Sequence, residues 1–106
     1  MTRVKLASVR TFPHAAPTKA QALKVLEEAS ETVEAFKKWF IADGFQKRNA
    51  EKVPTDWADA EFVDLMDEIA DTIQASCNLA AALGVTDLTP YLARCEERNR
   101  RRGRYE

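Results

Sequence analysis

Apolar residues recur at three- and four-residue steps in three stretches of the chain, with polar residues filling the spaces between. In the first stretch, Leu23, Leu26, Val33, Phe36 and Phe40 fall on one stripe, which predicts a helix from about Lys19 to about Ala42. Thr18 is the expected N-cap and Gln21 its capping-box partner, while Asp43-Gly44 is the expected stop. The second stretch predicts a helix from about Trp57 to Leu83, with Phe62, Leu65, Ile69, Ile73, Cys77 and Ala80 on its core stripe. Thr55 or Asp56 caps it, and Gly84 stands just past its end. Its last part, Cys77 to Leu83, has no charged side and is expected to be buried all round. The third helix opens at Thr89-Pro90, with Thr89 as N-cap and Pro90 as first helical residue. It carries Tyr91, Leu92 and Cys95 on one side and is expected to fray in the arginine run that follows.

The pattern is all-α. Residues 1–17 read as an N-terminal arm and loop, with Val4, Leu6 and Val9 extended and Pro13 and Pro17 bracketing a turn. Residues 18–102 form one helical domain and 103–106 a tail. The polar stretch 44–55 is a connection or a lid. Three helices with few long stripes make a thin monomer, so the expected architecture is a helical bundle completed by oligomerisation, as a homodimer or homotetramer.

Composition narrows the partners. Charged residues make up 31% of the 106, but they balance to a net −1, so no global field favours nucleic acid or an anionic membrane. Locally the middle is acidic, and Arg94, Arg98, Arg100, Arg101, Arg102 and Arg104 crowd the end. Cys77 and Cys95 lack metal-site spacing and read as free thiols. No apolar run is long enough for a signal peptide or a membrane span, so a cytoplasmic protein is expected.

The chemistry lies in two acidic strings, Glu27-Glu28-Ala29-Ser30-Glu31 and Glu68-Ile69-Ala70-Asp71. Residues three apart on a helix are neighbours, so Glu28 pairs with Glu31 and Glu68 with Asp71. Two such pairs facing each other make an all-oxygen cage for a hard cation, with Mg²⁺ the natural guest and Mn²⁺ an alternative. Asn78 falls on the same face two turns beyond Asp71. Two readings stand for it, a bond to a neighbouring helix and a contact with substrate or a metal-bound water.

Together these strings resemble the EExxE…ExxD pattern of the MazG-like nucleoside triphosphate pyrophosphohydrolases. Leu79-Ala80-Ala81-Ala82-Leu83-Gly84-Val85 is similar to that family's apolar helix end and turn. Glu97-Arg98-Asn99-Arg100-Arg101-Arg102 resembles its basic third helix. The resemblance implies an all-α MazG-like bundle that cleaves a nucleoside triphosphate between the α and β phosphates. By it, Glu28, Glu31, Glu68 and Asp71 hold Mg²⁺, and Glu27 or Glu31 orients the attacking water. Arg98 and Asn99 would then approach the triphosphate, and the residue pattern adds Asn78 and Arg101 as substrate-contact candidates. Two departures accompany it: Thr32 to Asp67 is longer than in compact relatives, and Cys95 stands where relatives often carry lysine.

Simpler readings stand beside these. Either acidic string alone could be a solvated helix face. Trp39 and Trp57 are by default packing residues rather than base-stacking ones. His14 lies in a proline-flanked loop and reads as a surface residue. A helical interaction module with an acidic face is the rival from another class.

Overall fold

In a computed structural model, residues 2–49 and 56–106 are described. Among them are the helices α1, Lys19–Arg48, α2, Trp57–Ala82, and α3, Thr89–Arg101, and no strand. Thr18 caps α1, its Oγ1 accepting from the Gln21 N–H at 3.2 Å. Thr55, one of the expected caps of α2, lies outside the described residues, as do residues 50–54 of the expected connection or lid.

Helix α1 does not stop at Asp43-Gly44 but continues to Arg48. Gly44 keeps a helical backbone, and a mid-helix glycine costs about 1 kcal/mol relative to alanine. Contacts across the added turn offset this. The Phe45 ring meets Trp57 edge-on at 5.7 Å, and Lys47 pairs with Asp43 at 2.9 Å. Gln46 Oε1 accepts from the Ala58 N–H at 2.9 Å, satisfying a donor at the start of α2 where Asp56 makes no side-chain cap.

The two long helices run antiparallel, since Thr32 faces Thr72 while Gln46 faces Ala58. The seam between them is built from small side chains. Ala35, Ala42, Ala58 and Ala75 are buried there with Leu65. Small residues let two backbones approach closely, and polar groups at the same level then meet across the gap. Of the expected α2 core stripe, Leu65 is buried and Ile73, Cys77 and Ala80 are half-buried, while the rest of the large apolar side chains on both stripes face outward. Leu23, Leu26, Val33, Phe36, Phe40, Phe62 and Ile69 are all exposed in the single chain. Cys77 to Ala82, apart from buried Asn78, are half-buried and Leu83 is exposed, so the uncharged end of α2 is not enclosed by this chain.

Both later helices end on glycine. Gly84 has φ +86°, with its own N–H bonded to the Ala81 carbonyl and that of Val85 to Ala80, a Schellman closure of α2. Gly103, at φ +70°, closes α3 in the same way through Arg104 N–H and the Asn99 carbonyl. The arginine run is therefore helical through Arg101 rather than frayed. Thr89 is the first residue of α3 and not its cap; its N–H is taken by Asp87 Oδ1 at 2.9 Å.

Helix α3 stands apart, with no Cα within 8 Å of one in α1 or α2. It is reached instead by the N-terminal arm, where Arg3 pairs with Glu96 at 2.9 Å. The radius of gyration is 17.5 Å, against about 13 Å for a compact chain of this length. No described helix is long and apolar enough to cross a membrane.

Candidate metal centre

Helical spacing puts Glu28 and Glu31 on adjacent turns of α1, and Glu68 and Asp71 on adjacent turns of α2. The antiparallel register then brings the two pairs to one level of the seam. Glu28, Glu68 and Asp71 each offer a carboxylate oxygen, and these lie within 4.8 Å of one another. Glu31 stands close enough for its charge to act on both Glu28 and Glu68. A carboxylate held against a carboxylate needs a shared proton or a cation between them.

Two atoms make that need specific. Glu28 Oε2 and Glu68 Oε2 are buried and have no hydrogen-bond partner. Loss of hydration pushes the Glu28 carboxyl above its ordinary range, and the charges of Glu31, Asp71 and Glu27 push it further. Glu68 is raised by the same loss of hydration, then by Glu31, Asp71 and Glu28. An all-oxygen donor set of this kind suits Mg²⁺, whose octahedral ligands at about 2.1 Å lie about 3 Å apart when adjacent and about 4.2 Å apart across the ion.

The sign of the pH effect follows. Between the ordinary value of 4.5 and the raised one, the folded chain binds more protons than the unfolded chain, so these two groups lose stability as pH rises. Without divalent cation, the wild type should therefore lose thermal stability relative to Glu68→Gln as pH climbs above that ordinary value. Saturating Mg²⁺ at neutral pH should restore it. Melting curves of both proteins across pH, with chelator and with Mg²⁺, check this; parallel curves would contradict it.

A groove of about 280 Å³ adjoins the cluster and shares Glu31 and Glu68 with it. Glu34, Glu61, Asp64 and Asp67 add carboxylates to its wall, and among the described residues Lys38 is the cation lining it. Lys38 was legible as the residue two turns beyond Glu31, but nothing in the motif singled it out. Thr32 and Thr72 were missed as well. Each follows a glutamate of the cluster by four residues, and their hydroxyls meet across the seam at 3.1 Å.

The other site residues expected from the sequence are more scattered. Glu27 lies on the exposed side of α1, its carboxylate paired with Lys24 at 3.0 Å. Asn78 is buried, and its Oδ1 accepts from the Phe12 N–H at 3.0 Å and from Gln74 Nε2 at 2.9 Å. Gln74 also donates to the Arg10 carbonyl at 2.9 Å. The two side chains tie the arm to α2. Asn78→Ala should cost about 0.5–1.5 kcal/mol by removing its bonds to Phe12 and Gln74, and leave cation affinity unchanged. Denaturant midpoints and a cation titration check the two halves. Arg98, Asn99 and Arg101 are on α3 and are not brought to the carboxylates by this chain's own packing. Arg101 is engaged with Glu97 at 3.2 Å, and Asn99 Nδ2 donates to Cys95 Sγ at 3.5 Å. Hydrogen bonding and charge from Arg100 and Arg101 hold the Glu97 carboxyl down to about 2. The tryptophan rings pack on phenylalanines, Trp39 on Phe36 and Phe62 and Trp57 on Phe45.

No protein-family model, no curated protein and no solved structure matches this chain.

Proposed function

We propose that the chain is a MazG-like, Mg²⁺-dependent nucleotide pyrophosphohydrolase that cleaves a nucleoside triphosphate to the monophosphate and pyrophosphate. The observation that carries this reading is the convergence of the Glu28, Glu68 and Asp71 carboxylates from α1 and α2, with two buried oxygens left unpartnered. Glu28, Glu68 and Asp71 would hold the cation, and Glu31 would bridge between them. When bound, Mg²⁺ supplies charge neutralisation at phosphate oxygens and a lower pKa for water.

The side chains supply the rest. Glu31, whose charge acts on both Glu28 and Glu68, would orient a water and accept its proton. The water oxygen forms a bond to the α-phosphorus as the bond to the bridging oxygen breaks, and pyrophosphate leaves. Lys38 in the adjoining groove is placed to pair with phosphate charge. Positioning and electrostatics carry such a reaction, with little covalent work for the protein.

The same reading includes a homo-oligomer. The chain exposes 8599 Å², about 2,600 Å² more than a folded monomer of 12.0 kDa. Obligate interfaces bury this scale of surface. A partner seated on the exposed phenylalanine stripe would cover that excess and could bring its own α3, with Arg98, Asn99 and Arg101, toward the carboxylates. Dimer and tetramer both satisfy the area.

The rival, a helical module whose acidic groove meets a basic partner, is favoured by the number of carboxylates lining that groove. Incubation with a panel of canonical and modified nucleoside triphosphates, with Mg²⁺ and with chelator, separates them. The enzyme gives monophosphate and pyrophosphate only with Mg²⁺. A folded protein that gives no product across the panel and binds no divalent cation is the interaction module instead.

A further inference from the structure

The two glutamates with buried, unpartnered oxygens have one more thing in common: each backbone carbonyl lies within hydrogen-bond reach of a threonine hydroxyl. Thr32 Oγ1 lies 3.0 Å from the Glu28 carbonyl and 3.2 Å from the Glu68 carbonyl. Thr72 Oγ1 lies 3.0 Å from the Glu68 carbonyl, and the two hydroxyls are 3.1 Å apart. Two hydroxyls carry two protons for these four contacts. An arrangement with no proton between the hydroxyls sets lone pair against lone pair, so the favoured arrangements link the helices.

We infer that Thr32 and Thr72 form a hydroxyl bridge that positions the Glu28 and Glu68 carboxylates for a divalent cation, with Thr32 as its principal member. The inference rests on the proposed metal site and goes beyond it, to what sets the site's geometry. The bridge binds the backbone of the two residues whose side chains must converge, at the level where they converge. Groups behind the ligands fix ligand direction, and their loss typically weakens metal binding about 10–100-fold. The seam on either side is apolar, with Ala35, Leu65 and Ala75 buried in it. Valine, the same shape as threonine, would suit such a seam if packing were the only demand. Replacing both partners of a hydrogen bond by apolar groups of that shape is close to neutral for stability.

The contacts are unequal, and that gives the test. Both contacts that cross between helices involve Thr32, whereas the Thr72 contact with the Glu68 carbonyl stays within α2. Without Thr72, Thr32 can still donate to Glu68. Without Thr32, no hydroxyl link between the helices remains.

Mn²⁺ titrations of the full-length protein, followed by electron paramagnetic resonance and paired with melting curves in chelator, compare wild type, T32V, T72V, the double valine variant and T32S. T32V and the double variant should lose 10–100-fold in Mn²⁺ affinity, T72V clearly less, and T32S little, with the melting temperature in chelator near wild type throughout. Equal affinities in all five proteins would overturn the bridge and leave the metal site standing. Equal losses in T32V and T72V, or affinity that follows the melting temperature in chelator, would also overturn it, by assigning the threonines to packing. A wild type that binds no Mn²⁺ would overturn the proposed function and the bridge with it. If T32V fails to fold, T32S against T32A decides on the same criteria.

Discussion

Glu68→Gln should remove divalent-cation binding and lower turnover about a hundredfold or more while leaving the fold intact. Glu68 is half-buried, one of its oxygens is enclosed without a partner, and its carboxyl faces Glu31, Asp71 and Glu28. The amide keeps the shape and removes the charge that a cation needs. The same change relieves repulsion among the carboxylates, so the variant should melt at a higher temperature than wild type in chelator at neutral pH. Loss of function with gain of stability is the signature of a site strained for a ligand. A merely solvated acidic face would give neither effect. Calorimetric Mg²⁺ titration, pyrophosphate release and melting in chelator read the three parts separately.

The second large effect concerns the apolar stripe of α1. Phe36 and Phe40 stack at 5.9 Å between ring centres, yet they are 47% and 64% exposed in the single chain. Leu23, Leu26 and Val33 extend the same stripe. If a second copy covers it, F36E/F40E places two carboxylates in an apolar interface at a cost of several kcal/mol. The wild type should sediment as a dimer or tetramer, and the variant as a 12.0 kDa monomer or an unfolded chain. The wild-type melting temperature should also rise with protein concentration, as it does when association and folding are linked. A wild type that is monomeric and stable at all concentrations would sink the oligomer.

Much of this was legible in the residues. The Thr18 cap, the Gly84 stop and Pro90 at the start of α3 each act through local backbone chemistry, and each marks its boundary to within a residue or so. The carboxylate pairs were legible for the same reason, because three-residue spacing fixes a helix face before any tertiary contact forms. Contacts across long separations were not. The Asp43-Gly44 signal was outweighed by Gln46, Phe45 and Lys47 acting across the next turn. The large apolar side chains of α1 were legible as one stripe, but nothing in the pattern showed that alanines would make the seam with α2 and leave the phenylalanines outside. Asn78 carried no sign of the arm it holds, since Phe12 lies 66 positions away. Thr32 and Thr72 looked like ordinary helix residues until the register set them face to face.

Anomalous X-ray diffraction from crystals of the full chain grown with Mn²⁺ would locate the cation directly. A peak between α1 and α2, ligated by Glu28, Glu68 and Asp71 with Glu31 alongside, is the expected result. Crystals soaked to saturation that show no peak among these carboxylates, with Glu28 and Glu68 turned to solvent, would contradict the metal centre and the hydrolase built on it.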